Sequence, residues 1–266
     1  MKLGPVTLGE GVHPTAIVSP EAELATGVQI GPGAVIGPGV RIAAGVIIGA
    51  YAVIDKDTHI GESSRIFHGA IVGADPQDLK YAGEPTRLEI GERTTIREFC
   101  SLHRGTVATG LTRVGSDCLL MTGCHVAHDC RVGNNVVLAN GAAVGGHVEI
   151  GDWAILGGLA GVHQFCRIGE HAFVGGAAKI TQDIPPFVLA DGNPCRLRAI
   201  NVIGLQRRGF SREAIDGLRD AFRMLFRNRQ LNLGQALAHL EASEDLDTSV
   251  ESLVAYIRES ERGIHT

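Results

Sequence analysis

The sequence predicts a left-handed parallel β-helix built from hexapeptide repeats and followed by a small C-terminal α-helical domain. Aliphatic residues recur at every sixth position over most of the first 180 residues, and a small or β-branched residue usually follows four positions later. After residue 186 this period stops, and apolar residues fall at helical spacing instead. In this chain of 266 residues we therefore expect a β-helix over residues 1–190 and a helical domain over residues 191–266.

The period of six is the main signal for the β-helix. An α-helix cannot carry it, because a spacing of six does not keep side chains on one face at 3.6 residues per turn. Short strands joined by tight turns can, with three hexads making one triangular coil of eighteen residues. The aliphatic positions are Val12, Val18, Leu24, Ile30, Ile36, Ile42, Ile48, Ile54, Ile60, Ile66, Val72, Ile90, Ile96, Leu102, Val114, Leu120, Val126, Val132, Leu138, Val144, Ile150, Leu156, Val162, Ile168, Val174 and Ile180.

The period is interrupted twice, and each interruption predicts a loop. Eighteen residues separate Val72 from Ile90, and twelve separate Leu102 from Val114, where six would continue the repeat. We expect loop insertions near residues 73–89 and 103–113. Long insertions in a solenoid usually lie on its binding face.

The tail has the periodicity of helices. From Ser211 onwards the apolar residues form one helical stripe, and residues 231–242 predict a second helix. Thr248 and Glu251 have the spacing of a capping box, which predicts the start of a third helix.

Composition excludes several classes of protein. The net charge of −5 and an aromatic content of 5% argue against nucleic-acid binding. No apolar run approaches the length of a membrane span, so we expect no membrane insertion and a cytoplasmic location.

The sequence has no CxxC pair, which argues against zinc-knuckle and thioredoxin-like sites. Five of the six cysteines occupy the small inward position and are expected in the core: Cys100, Cys118, Cys124, Cys130 and Cys166.

The repeat also predicts which distant residues are neighbours. Residues eighteen apart stack once the insertions are subtracted, so Val72, Leu102, Val126, Val144 and Val162 should form one column. Four histidines fall on this column, and His125 is expected beside it at the turn. The four histidines on the column are His103, His128, His147 and His163.

On the residues alone, three interpretations of the histidine cluster remain open. Histidines can cap turns, or imidazoles on adjacent coils of a trimer can hold zinc, as in γ-class carbonic anhydrases. In the third interpretation one histidine is a general base and the others place a substrate. The loops favour a large organic ligand, so we expect no metal or cofactor. His128 is the best candidate base, because the carboxylate of Asp129 can fix its tautomer.

At several motifs the chain resembles the bacterial UDP-N-acetylglucosamine O-acyltransferases that begin lipid A biosynthesis. The resemblance runs nearly end to end. It implies a cytoplasmic homotrimer with active sites in the clefts between subunits. The implied reaction moves a 3-hydroxyacyl group from acyl carrier protein to the 3-hydroxyl of UDP-N-acetylglucosamine. The matching segments are Gln77–Arg87, His103–Thr106, His125–Asp129, Val162–Cys166 and Arg207–Ile215.

The resemblance also implies roles for individual residues. His128 would be the base, Asp129 would support it, and the backbone N–H of Gly146 would stabilise the oxyanion. Gly176 would line the end of the acyl groove. The residues expected to position the sugar and its substituents are Asp78, Lys80, His125 and His147, and Gln77 and His103 are also expected to bind substrate. Those expected to hold the nucleotide, pyrophosphate or thioester arm are His163, Gln164, Asn201, Arg207 and Arg208, from the adjacent subunit.

The chain departs from the family pattern at Ile203, where a glutamate that contacts the nucleotide is common. Several arginines near the domain junction, Arg196 and Arg198 among them, are expected to steer the acidic carrier protein. Two alternatives are an N-acyltransferase of the same pathway and a γ-carbonic-anhydrase-like zinc enzyme. The sequence leaves open the acyl chain length and whether the acceptor bears a 3-hydroxyl or a 3-amino group.

Overall fold

The computed structural model describes residues 11–243 and 245–266, and it confirms the left-handed parallel β-helix with a small C-terminal helical part. Sheet 1 contains β1 (Ile17–Val18), β4 (Val35–Ile36), β7 (Val53–Ile54), β10 (Ile71–Ala74), β13 (Ser101–His103), β16 (His125–Val126), β19 (Ala143–Val144), β22 (Gly161–Val162) and β25 (Lys179–Ile180). Sheet 2 contains β2 (Glu23–Leu24), β5 (Arg41–Ile42), β8 (Thr58–Ile60), β11 (Arg87–Ile90), β14 (Leu111–Val114), β17 (Arg131–Val132), β20 (Glu149–Ile150) and β23 (Arg167–Ile168). Sheet 3 contains β3 (Gln29–Ile30), β6 (Ile47–Ile48), β9 (Arg65–Ile66), β12 (Thr95–Ile96), β15 (Leu119–Leu120), β18 (Val137–Leu138), β21 (Ile155–Leu156), β24 (Phe173–Val174), β26 (Val188–Asp191) and β27 (Arg196–Ile200).

The aliphatic repeat forms the core because one residue of each short strand points inward. From Ile30 to Ile180 every repeat position is buried, and each such side chain contributes roughly 1.5–3 kcal/mol of burial free energy. Val12, Val18 and Leu24 are only partly covered, since they lie at the end of the stack. The cysteines predicted in the core are buried and free.

The predicted column is confirmed by the strand register. In sheet 1, Leu102 pairs with Val72 on one side and Val126 on the other, and Val126 then pairs with Val144. Val144 pairs in turn with Val162. The two interruptions of the repeat emerge from neighbouring coils, because the chain leaves β10 after Ala74 and β13 after His103.

The end of the β-helix differs from the sequence expectation. β26 continues sheet 3 in parallel beside β24, and β27 then pairs antiparallel with β26. This hairpin straddles residue 190, so the division into two domains at that residue stays a prediction. The sequence did not indicate the hairpin, because the period of six has already ended there.

Four helices follow the hairpin: α1 (Val202–Arg207), α2 (Arg212–Phe226), α3 (Leu233–Glu241) and α4 (Thr248–Arg258). Ser211 caps α2, and α1 was not predicted. The predicted capping box at Thr248 and Glu251 is wrong. The N-cap of α4 is Asp247, whose carboxylate accepts the Ser249 N–H at 2.8 Å. Within the described ranges, no helix combines the length and apolarity needed to cross a bilayer.

Candidate active site

The candidate site lies along the turns that lead from sheet 1 to sheet 2, which we term the 1/2 edge. At its centre His128 Nδ1 lies 2.8 Å from Asp129 Oδ2, and the Asp129 side chain is fully buried. Since an ionised carboxylate can only accept, His128 carries its proton on Nδ1 and leaves Nε2 unprotonated in the neutral ring. The adjacency in sequence therefore becomes a contact in space.

Asp129 is held by two threonines that the sequence reasoning did not single out. The Thr106 N–H donates to both carboxylate oxygens, at 3.0 and 3.1 Å, and the Thr106 hydroxyl donates to Oδ2 at 2.7 Å. The Thr109 hydroxyl donates to Oδ1. Burial alone would raise the pKa of Asp129, but the hydrogen bonds from Thr109, Thr106 and His128 outweigh it and lower the pKa below its usual value. Asp129 is thus kept ionised as a fixed acceptor.

The backbone of Asp129 is fixed as well. Asp129 has the left-handed φ of 59° that recurs at the turns of this β-helix, and its N–H donates to the Thr112 hydroxyl at 2.7 Å. All three threonines come from the segment around the second loop. Thr106 belongs to a motif quoted for the family resemblance, and this was the only sequence signal for the group.

Gly146 lies on the next coil, directly against the His128 ring. A Cβ at residue 146 would lie 2.7 Å from His128 Cε1 and 2.8 Å from Nε2, which is closer than real contacts permit. Within the described part of the chain, no acceptor bonds to the Gly146 N–H. Glycine at this position therefore lets the imidazole lie against the backbone and leaves that N–H available.

His147 extends the site to the following turn. Its ring stacks on Phe165 at a centroid distance of 4.5 Å and meets the His128 ring edge-on at 5.1 Å. Its Nε2 is 3.7 Å from Asp129 Oδ2. Burial lowers the pKa of His147, while the charges of Asp129 and Asp78 act in the opposite direction. The neutral ring is therefore favoured, and Asp78 of the first loop acts electrostatically on the same site.

His103 and His125 form the lower part of the site. Their rings meet edge-on at 5.0 Å, and His125 Nδ1 lies 2.8 Å from the Ser101 hydroxyl oxygen. The expectation that His125 lies at the turn is wrong: it is the outward residue of β16, beside the buried Val126. Burial, reinforced by the neighbouring histidines, lowers the pKa of His103 to about 4.

The first loop is attached to the β-helix by Arg104, which the sequence reasoning quoted but gave no role. This fully buried guanidinium donates to the Gly73 carbonyl, to the Asp75 carboxylate and, at 3.2 Å, to the Tyr81 hydroxyl. Burial tends to raise the pKa of Asp75, but the contacts with Arg104 lower it overall. Gln77 and Lys80 beyond this anchor are exposed.

His163 and Gln164 lie at the upper end of the same edge and are both exposed. His163 Nδ1 lies 2.7 Å from Nη2 of Arg262, which comes from the C-terminal segment. The structure therefore joins these two predicted binding residues to the same edge as His128, one coil above Gly145 and Gly146.

The predicted nucleotide residues of the tail lie elsewhere in the single chain. The side-chain oxygen of Asn201 accepts the Gly204 N–H and caps α1, and its side-chain nitrogen donates at 2.9 Å to the His171 carbonyl. Both polar atoms of the side chain are therefore already hydrogen-bonded. Arg208 donates to the Trp153 carbonyl at 3.0 Å, and burial lowers its pKa. Both contacts are at turns from sheet 2 to sheet 3, so this chain alone does not bring Asn201 and Arg208 to His128. Arg207 is exposed.

Gly176 is also on a different edge from His128, at the turns from sheet 3 to sheet 1, which we term the 3/1 edge. It is exposed, and a Cβ there would meet the Gly158 carbonyl oxygen at 3.2 Å. Half-buried apolar residues line the outer face of sheet 3 beside it, namely Leu119, Val137, Ile155 and Phe173.

The central group allows two kinds of chemistry. Ligand atoms of His128, Asp129 and His147 lie within 4.8 Å of one another, so they could hold a metal ion. However, both Asp129 oxygens already accept hydrogen bonds, including the proton of His128 Nδ1. This arrangement is that of a histidine base oriented by a buried carboxylate.

The fold and this site define the chain as a hexapeptide-repeat transferase. The family model for bacterial transferase hexapeptide repeats matches residues 21–56 and 111–146. A second model, described as UDP N-acetylglucosamine O-acyltransferase, domain 2, matches residues 183–265.

Relatives define the family further. The acyl-[acyl-carrier-protein]–UDP-N-acetylglucosamine O-acyltransferase of Myxococcus xanthus is 50% identical over 95% of this chain and 98% of its own length. Its counterpart from Burkholderia vietnamiensis is 52% identical over the same shares. The solved UDP-N-acetylglucosamine acyltransferase of Bacteroides fragilis superposes with a TM-score of 0.93 at 40% identity, over 96% of this chain and 99% of that one. The chain belongs to the UDP-N-acetylglucosamine O-acyltransferase family and is an acyltransferase.

Proposed function

We propose that this enzyme transfers a 3-hydroxyacyl group from the thioester of acyl carrier protein to the 3-hydroxyl of UDP-N-acetylglucosamine, the first step of lipid A biosynthesis. The observation that carries the mechanism is the contact between His128 Nδ1 and the buried Asp129 carboxylate. It leaves His128 Nε2 as the one ring atom able to accept the proton of a sugar hydroxyl.

The reaction then needs no covalent acyl-enzyme. As Nε2 takes the hydroxyl proton, the sugar oxygen attacks the thioester carbon, and the C=O electron pair moves onto oxygen. Gly146 lies against the His128 ring, and its N–H would donate to this oxyanion. When the carbonyl re-forms, the C–S bond breaks and the leaving thiolate takes the proton from the imidazolium, which restores neutral His128.

The neighbouring residues would position the acceptor. His103, His125 and His147 are favoured in their neutral forms, so each can offer one N–H or one acceptor nitrogen to sugar hydroxyls. Asp78 and Lys80, together with Gln77, belong to the loop anchored by Arg104. Arginine suits a pyrophosphate through paired charged hydrogen bonds, which favours the exposed Arg207 for that role over the internally bonded Arg208.

We propose a homotrimer in which sheet 1 faces the three-fold axis. Large apolar side chains are exposed along sheet 1 and the 3/1 edge, and such patches usually mark interfaces. They are Ile17, Tyr51, Ile71, Phe99 and Leu159. In this arrangement the 1/2 edge of one subunit meets the 3/1 edge of the next, so Gly176 would lie across a cleft from His128. The apolar outer face of sheet 3 would then receive the acyl chain. The cytoplasmic location stays a prediction.

The experiment is a turnover assay with a panel of 3-hydroxyacyl carrier proteins against UDP-N-acetylglucosamine and its 3-amino analogue, with the product identified by mass spectrometry. The proposal predicts an ester at the 3-position of the sugar. Exclusive acylation of the amino analogue would reject the hydroxyl acceptor. Stoichiometric zinc retained by the purified protein, with carbonic anhydrase activity, would favour the metal alternative.

A further inference from the structure

The outer face of sheet 2 differs from those of the other two sheets. On each of its eight strands at least one outward residue is charged or histidine, whereas the outward residues of sheet 1 are mostly small or aliphatic. β14 also carries Leu111 outward, and the charged or histidine residues are Glu23, Arg41, His59, Arg87, Glu89, Arg113, Arg131, Glu149 and Arg167. If the apolar faces form the trimer, this charged face remains open to solvent.

Two neighbouring arginines on this face stand out. Arg113 of β14 and Arg131 of β17 are direct register partners, and both are exposed. Adjacent strands lie about 4.8 Å apart, and like charges directly opposite each other are destabilising. Among the described residues neither makes an ion pair, whereas Arg167 on the same face lies 3.6 Å from Glu149. An external anion that contacts both guanidinium groups would offset the repulsion between the two arginines.

This pair lies beside the catalytic turn. Arg131 follows Asp129 by two residues, so their Cα atoms are at most about 7 Å apart. Arg113 follows Thr112, whose hydroxyl accepts the Asp129 N–H. Both arginines line an open groove of about 750 Å³ that also includes Thr109, the donor to Asp129. A partner bound here would therefore reach His128 from the sheet 2 side.

We propose that the acyl carrier protein docks its acidic surface on the outer face of sheet 2 through Arg113 and Arg131. The proposal rests on the proposed function, which makes the carrier protein the acyl donor. Charge complementarity favours this occupant, and the approach places the acyl thioester at the 1/2 edge. The arginines at the domain junction, Arg196 and Arg198, are the competing surface.

The test is the double charge reversal Arg113→Glu/Arg131→Glu, assayed with acyl carrier protein and with a small acyl-pantetheine thioester as donors. We expect KM for the carrier protein to rise at least tenfold, while turnover with the small thioester stays within about twofold of wild type. Added salt should raise the wild-type KM and narrow the difference between the two proteins. The control Arg219→Glu/Arg229→Glu makes the same change in net charge at exposed residues outside sheet 2 and should leave this KM unchanged.

An unchanged KM for the carrier protein in an active double variant would overturn the proposal. An equal loss with both donors, or an equal rise in the control, would do the same. A raised KM only after reversal of Arg196 and Arg198 would assign docking to the domain junction instead. If wild-type enzyme turned over neither donor, the proposed function itself would fail, which separates the two results.

Discussion

The turn at His128–Asp129 and the loop at residues 75–86 serve the same site but are built in opposite ways. The turn belongs to the β-helix, and the buried Asp129 carboxylate accepts hydrogen bonds from Thr106, Thr109 and His128. The loop carries exposed side chains and is attached near its base through Arg104. Under the proposed function, the rigid repeat preorganises the general base, while an inserted segment carries the residues that would recognise the acceptor. Changes in the turn should therefore reduce kcat, and changes at the anchor should mainly raise KM.

The largest effect among the supporting residues is expected for Asp129→Asn. The amide can present an N–H towards His128 Nδ1, which would favour the wrong tautomer, so kcat should fall about 10²- to 10³-fold. The measurement is steady-state turnover at saturating acceptor, with circular dichroism to verify the fold. If the variant kept wild-type kcat, the carboxylate would have no part in orienting the base.

Gly146→Ala should have the next largest effect. The added Cβ would displace the His128 ring and crowd the N–H proposed for the oxyanion, so we expect kcat to fall about 10²-fold. The matched control is Gly217→Ala in α2, where a Cβ meets only Val250 at 3.7 Å and a helical alanine is favourable by about 1 kcal/mol. Equal kinetics in the two variants would contradict the role of Gly146.

Arg104→Met tests the other side of the comparison. It removes the anchor of the loop and leaves Asp75 without its main partner, so KM for the nucleotide sugar should rise about tenfold with a smaller change in kcat. The free energy of unfolding should fall by about 2 kcal/mol, the usual scale for losing a buried hydrogen bond from a charged donor, because the carboxylate of Asp75 is itself exposed. Arg93→Met is the control, because its ion pairs with Glu92 and Asp117 are exposed and should contribute little to stability. A fall in kcat with unchanged KM would assign Arg104 to the chemistry.

The smallest effect concerns pH and stability. Because the folded pKa of His103 is about 4, the unfolded chain binds more protons than the folded chain between pH 6.5 and 4. Acidification through this window therefore destabilises the fold, by up to about 2 kcal/mol at pH 5 from this residue. Urea unfolding at pH 7 and pH 5 measures the change, and His103→Gln should reduce it by that amount. An identical pH dependence in the variant would show that His103 is not the cause.

Much of this site could be predicted because, in the repeat, residues eighteen apart in sequence lie next to one another in space. The column from Val72 to Val162 follows from the period alone, and the His128–Asp129 pair was predicted from the adjacency of the two residues in sequence. The partners of Asp129 could not be predicted, since Thr106 and Thr109 lie in an insertion that has no period. Asn201 was expected to bind substrate because of the family resemblance, but its side-chain amide is hydrogen-bonded to the start of α1 and to the His171 carbonyl. Residues that act across subunits fall outside what the repeat of one chain can predict.

The absence of a repeat also explains why the C-terminal part was predicted less completely than the β-helix. The helix predicted from Ser211 onwards is confirmed, because a long amphipathic stripe follows that residue. The Thr248–Glu251 spacing fitted a capping box, but Asp247, one residue earlier, is the N-cap. The β26–β27 hairpin has no repeat to reveal it. Local patterns predicted these elements only where one periodicity dominated.

The most direct test of the account is the turnover number of His128→Ala with 3-hydroxyacyl carrier protein and UDP-N-acetylglucosamine. Loss of the general base should lower kcat by about two to four orders of magnitude, with KM for the sugar changed little. Turnover close to that of the wild type would contradict the assignment of His128 as the base and, with it, the central role of the 1/2 edge.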